Sequence, residues 1–256
     1  MYAEGLTRTG YVTIAFDARY QGESGGEPRR LENPSDRVAD FSIVVDYLIT
    51  QDFVDENRIG VLGVCGGGGY AVAASMIERR IKATVTVVAG NYGQLFRETF
   101  ADFDPLATLE KMTAQRTAEV RGAALLVPEL LPKDVETAKQ VSNNDYDVVQ
   151  ATDYYRNRIP MANAPVSSVF SRNAQGVSWD ALDRAEQLLT NPIMVVIGDK
   201  MGAFGSHRFG YDIIRRAGAK EKELVVLPFS HYELYDLPAA TSQALDKIIP
   251  FFGKHI

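Results

Sequence analysis

Cys65, the only cysteine in the chain, lies in Gly63-Val64-Cys65-Gly66-Gly67-Gly68-Gly69, directly after the apolar run "RIGVL". This is a G-x-nucleophile-x-G arrangement at a strand-to-helix junction. It sets the side chain on a sharp turn whose neighbours must be small. A helix that starts in the glycine run aims its free N–H groups and positive dipole end at the sulfur, which favours thiolate over thiol. The N–H of Gly66 is placed to donate to an oxyanion. The chemistry this predicts is nucleophilic acyl transfer through an S-acyl intermediate. The plainer alternative is a buried cysteine beside a tight turn.

Such a nucleophile needs a base, and the chain has three histidines. His255 sits in the C-terminal tail, and His207 opens a helical stretch after "GAFGS", where a capping or surface role is the simpler reading. His231, in "LPFSHYELYD" just past the last apolar strand, is the expected base. The third member should be a carboxylate that holds the imidazole tautomer. Asp199 ends the strand "PIMVVIGD" and is the first choice, with Asp236 and Asp17 as rivals.

These residues must be delivered by strand ends. "RIGVLGV" (58–64), "IKATVTVVAG" (81–90), "PIMVVIGD" (192–199) and "KELVVLPF" (222–229) read as buried strands. Between and after them run the helical stretches "GGYAVAASMIERR", "HRFGYDIIRRAGA" and about Pro238 to Lys254. Upstream, residues 2–9 read as the end of a helix closed by Gly10, and "YVTIAFDA" (11–18) as a further strand. "RYQGESGGEPRR" (19–30) reads as a loop, and residues 33–51 as a helix with Val38, Phe41, Val44, Val45 and Leu48 on one face. Strands alternating with helices imply an α/β fold, a mostly parallel doubly wound sheet covered on both faces. The alternation breaks over residues 91–190, where amphipathic helices, Pro-bearing loops and aromatics such as Tyr146, Tyr154, Tyr155, Phe170 and Trp179 prevail. Residues 1–90 and 191–256 are therefore expected to form the core, with 91–190 as an inserted helical cap whose aromatics suit an apolar acyl or aryl group.

Composition narrows the function. A net charge of −6 without a dense Lys/Arg cluster argues against nucleic acid. A lone cysteine excludes an intramolecular disulfide and suits a reducing compartment. No run of 18 apolar residues calls for a membrane span, and no basic-then-apolar leader is visible, so a cytoplasmic location is expected. No cofactor is expected. His231 has no ligand-spaced partner for a metal, and neither glycine-rich stretch carries the residues of a nucleotide loop.

The stretches "AFDARYQGESGGEPRR", "RIGVLGVCGGGGYA", "GDKMGAFGSHRFG" and "SHYELYD" resemble the dienelactone-hydrolase-like and polyketide-transferase-like branch of the α/β-hydrolase superfamily, in which cysteine replaces serine. The resemblance spans nearly the whole chain and shares the superfamily's nucleophile–acid–base order. It implies an α/β-hydrolase fold with Cys65 as nucleophile, His231 as base and Asp199 as acid, and a hydrolase acting on esters, lactones or thioesters of a small-molecule acyl substrate. The acid position is not uniformly acidic among such relatives. Glu23, in "QGESGG", is a candidate to tune the nucleophile as a glutamate does in dienelactone-hydrolase-like enzymes, the alternative being a solvated charged loop. The resemblance further implies strands ahead of the first helix that this chain does not carry, and with them a second oxyanion donor. Without them "YVTIAF" is expected to be a bare edge that a homodimer could cover. Two other functions share these residues: acyl transfer or lysis on polyketide-like substrates, and a non-catalytic binding or redox-sensing role for the Cys65 thiol.

Overall fold

Four apolar stretches form one parallel sheet: β1 (Ile59–Val64), β2 (Ile81–Val87), β3 (Ile193–Gly198) and β4 (Lys222–Leu227), in the spatial order β1-β2-β3-β4. The structure, a computed structural model, describes residues 1–98, 104–158 and 166–256. β3 is buried at every position, as an inner strand of a sheet covered on both faces must be. β4, on the edge, is exposed at Lys222 and Glu223.

The chain divides into two units, residues 1–16, 38–91 and 181–256 in the first and 17–37 and 92–180 in the second. In chain order the helices are α1 (Tyr2–Thr7), α2 (Pro34–Leu48), α3 (Gly66–Ile77), α4 (Tyr92–Glu98), α5 (Pro105–Val120), α6 (Val135–Val141), α7 (Tyr146–Asp153), α8 (Ala174–Ser178), α9 (Ala185–Leu188), α10 (Ser206–Arg216), α11 (Glu233–Asp236) and α12 (Pro238–His255).

The first unit holds the sheet. Successive β3 side chains point to opposite faces. Met194 and Val196 join Ala240, Ala244, Ile248 and Phe251 of α12 and Tyr2 and Leu6 of α1 in one core cluster. Val195 and Ile197 lie against Gly210 of α10 on the other face. Tyr2 Oη donates to the Leu234 carbonyl at 2.7 Å and ties α1 to α11. The chain leaves the first unit after Asn91 and returns at Ala181, and the two ends meet: Ala181 N–H donates to Asn91 Oδ1 at 3.4 Å.

In the second unit Asp104, Asp134 and Asp145 accept from backbone N–H groups of Ala107, Thr137 and Val148, which fixes where α5, α6 and α7 begin. A π-helical turn, Tyr154–Arg158, follows α7. The loop 17–37 groups with this unit rather than with the sheet. Arg30 explains why: its carbonyl accepts from Val169 N–H at 3.1 Å and its guanidinium donates to Ser167 Oγ at 3.2 Å.

One expected strand is not there. Residues 11–18 take no ladder partner, and Val12, Ile14 and Phe16 are exposed at every second position. The stretch has strand-forming side chains, but those describe fitness for a pleated surface; a strand also needs a neighbour to bond with.

Candidate active site

Cys65 follows β1 directly and is the residue before α3. Its backbone has φ 51° and ψ −127°, a conformation non-glycine residues seldom adopt and one that costs on the order of 1–3 kcal/mol. The surroundings hold it there. Cys65 N–H donates to Val87 O at 3.0 Å, and its own carbonyl accepts from both Gly68 and Gly90 N–H at 2.8 Å. Gly63 must lack a side chain, because a Cβ would meet Gly67 O at 2.4 Å. Around Gly66 and Gly67, by contrast, a Cβ would find nothing within 4 Å, so the turn is open on that side. As the first residue of α3, Gly66 has an N–H without an intrahelical acceptor. The next strand end is bent as well: Val88, fully buried, has φ 43°.

β1 and β4 are at opposite edges of the sheet, three strand spacings or about 14 Å apart. Both site segments fold back toward the middle. A Cβ on Gly90, past the end of β2, would lie 3.8 Å from Cys65 Sγ, so the sulfur sits over β2. The loop after β4 crosses β3 so closely that a Cβ on Gly198 would meet Phe229 O at 2.1 Å. Ser230 and Glu233 lock this loop reciprocally: Ser230 N–H donates to Glu233 Oε2 at 2.7 Å, and Glu233 N–H donates to Ser230 Oγ at 3.3 Å. Lys200, just past β3, adds an ion pair to Glu233 at 2.9 Å.

His231 rides on that loop and is 2% exposed. Its Nδ1 lies 3.0 Å from Ser206 Oγ and its Nε2 3.3 Å from Tyr235 Oη. Tyr232, Tyr235 and Phe204 surround the ring with centroids 4.9, 5.3 and 5.9 Å away. Burial in this aromatic box pushes the imidazole from its ordinary 6.5 down to about 3, so it is neutral at physiological pH.

The other expected residues stand as follows. Asp199 is exposed at the end of β3, its N–H donating to Leu227 O at 3.0 Å, and the hydrogen-bond partner of His231 Nδ1 is Ser206 instead. Asp17 caps a turn of the second unit by accepting from Glu23 N–H at 2.8 Å, and Glu23 itself is exposed there. His207 is lowered by burial, and His255 packs on Phe251 near Glu221. Ser206 and Tyr235 are the residues that sequence reasoning passed over. Tyr235 lies four positions after His231, the spacing of neighbours on a helical turn, and Ser206 opens α10 after Gly205. Among the described residues no group of three or more His, Cys, Asp or Glu could hold a metal ion, and no helix is long and apolar enough to cross a membrane.

The profile of the prolyl oligopeptidase family matches residues 2–121. The chain is 37% identical over 257 residues to the uncharacterized protein YcjY of Escherichia coli K12, covering 98% of this chain and 81% of that one. The crystal structure of the hypothetical protein PA2218 from Pseudomonas aeruginosa matches with a TM-score of 0.84 at 28% identity, over 100% of this chain and 78% of that one. The α/β hydrolase GrgF from Penicillium sp. sh18 shares the fold, with a TM-score of 0.77 at 18% identity over 99% of this chain and 83% of that one.

Proposed function

The chain belongs to one family with YcjY and has an α/β-hydrolase fold, and from that premise we propose that it cleaves ester, lactone or thioester bonds with Cys65 as nucleophile and His231 as base. The observation that carries this reading is the backbone of Cys65. A non-glycine residue at φ 51° is held by three backbone hydrogen bonds between a strand end and a helix start, in a turn that leaves room at Gly66 and Gly67. A cysteine with only a packing role needs none of this.

The steps follow. The Cys65 thiol gives its proton to His231, and the sulfur bonds to the carbonyl carbon while the C=O π pair moves onto oxygen. The Gly66 N–H donates to that oxyanion. The oxyanion collapses, the bond to the leaving alcohol or thiol breaks, and the leaving group takes the proton from His231. Water then gives a proton to His231 and attacks the S-acyl carbon. The C–S bond breaks, the acid departs, and the sulfur recovers its proton. The neutral imidazole is in the correct form to begin this cycle.

The test is p-nitrophenyl acetate turnover, with intact mass read on acid-quenched samples before steady state. Wild type should gain one acetyl group and turn over, and Cys65→Ala should do neither. An acyl adduct that persists in Cys65→Ala, or none in folded wild type offered acetyl, butyryl and thioester substrates, would remove Cys65 from the role.

A further inference from the structure

Both nitrogens of the His231 ring are met by neutral hydroxyls, Ser206 Oγ at Nδ1 and Tyr235 Oη at Nε2. Ser206 is buried, is fixed as the first residue of α10, and reaches the ring from a different segment than the histidine's own loop. Phe204 and Tyr232 are further walls of the box, and among the described ring contacts the titratable groups are Tyr232 and Tyr235. A serine oxygen can accept a proton bond at Nδ1 as a carboxylate oxygen does, but it brings no charge.

We propose that Ser206 is the positioning residue of this site: its Oγ accepts the Nδ1 proton of His231, and so leaves the Nε2 lone pair to receive the Cys65 proton. This rests on the hydrolytic reading above and gives Ser206 the tautomer-holding task of the acid in a Ser-His-Asp triad. When the Cys65 proton arrives at Nε2, Nδ1–H continues to donate to Ser206 Oγ, and the Tyr235 hydroxyl, a longer contact, gives way. The two described partners of the ring nitrogens are neutral hydroxyls, which favours a resting pair of thiol and neutral imidazole. The ion pair forms only as the sulfur attacks.

With three histidines in the chain, the tautomer can be read directly. The experiment is a long-range ¹⁵N–¹H correlation spectrum at pH 7 of full-length protein carrying ¹⁵N-histidine, assigned with His207→Gln and His255→Gln. It is run on wild type, Ser206→Ala and Ser206→Thr, with the acetylation rate of Cys65 measured in parallel. Wild-type His231 should be neutral with its proton on Nδ1. Ser206→Ala should lose that preference and acylate about tenfold more slowly, the equivalent of one hydrogen bond of about 1.4 kcal/mol. Ser206→Thr, which keeps the hydroxyl, should retain both properties. A wild-type proton on Nε2 overturns the proposal, and that spectrum requires no variant to fold. An unchanged tautomer in Ser206→Ala overturns it as well. If the spectra match while Cys65 takes up no acyl group, the hydrolytic reading fails and removes the catalytic task of Ser206 with it.

Discussion

The two halves of the site are held by different means. At Cys65 everything is main chain: two strand ends, a helix start and glycines whose missing side chains let backbone meet backbone. Around the His231 ring the contacts are side chains: a serine from α10, a tyrosine one helical turn along, and aromatic walls from two loops. A corner built of backbone has one shape and tolerates no added atoms where backbone meets backbone, as at Gly63. A corner built of side chains can be retuned one residue at a time. The nucleophile's position is thus inseparable from the fold, while the base's ionisation is adjustable.

Experiments can sharpen or break this contrast, beginning with the largest effect. Cys65→Ala should lower p-nitrophenyl ester turnover by about a thousandfold or more with little change in unfolding midpoint. A residual rate above a tenth of wild type would show that the backbone corner serves no nucleophile. Gly63→Ala puts a Cβ against the Gly67 carbonyl and should cost about 3 kcal/mol in urea unfolding, since backbone on both sides cannot yield. A cost below 1 kcal/mol would mean that this corner is softer than drawn.

The His231 corner should answer to pH instead. Its imidazole is depressed in the folded protein, to about 3, whereas the unfolded chain takes up the proton near 6.5. As pH falls the unfolded state therefore gains the proton first. The stability this residue contributes is whole above pH 6.5 and is lost toward pH 3, at up to about 1.4 kcal/mol per pH unit. Urea unfolding across that window should show a slope about one proton shallower in His231→Gln than in wild type. Equal slopes would mean that the ring is not kept neutral by its box. The smallest effect belongs to Lys200→Met. This part-exposed pair with Glu233 should contribute less than about 1 kcal/mol, and turnover should fall only as far as the loop loosens.

What the sequence revealed follows the same division. The four strands and the α3, α10 and α12 helices were legible because continuous apolar runs and helical periodicity are local signals. The strand-to-helix turn at Cys65 was legible because its glycines are its neighbours in the chain. Ser206 was not, because it meets His231 from 25 positions away. Asp199 looked like the triad acid because it ends a strand, yet a strand end says nothing of where the carboxylate turns. The 11–18 stretch has the side chains of a strand, and no local pattern tells whether a partner lies beside it. The grouping of loop 17–37 with 92–180 depends on Arg30 reaching Val169 and Ser167, contacts no window of sequence contains.

The junction at Asn91 and Ala181 has a practical meaning for how such a protein can diversify. Because the chain departs after Asn91 and re-enters at Ala181 across one hydrogen bond, residues 92–180 are one continuous insertion into the first unit, joined in the second unit by residues 17–37. The bonds described for the sheet, the Cys65 turn and the His231 loop do not involve residues 92–180, whereas loop 17–37 would lose Val169 and Ser167 as partners of Arg30. Lineages, or engineers, could exchange one reservoir of residues for another while the reactive corner is inherited unchanged.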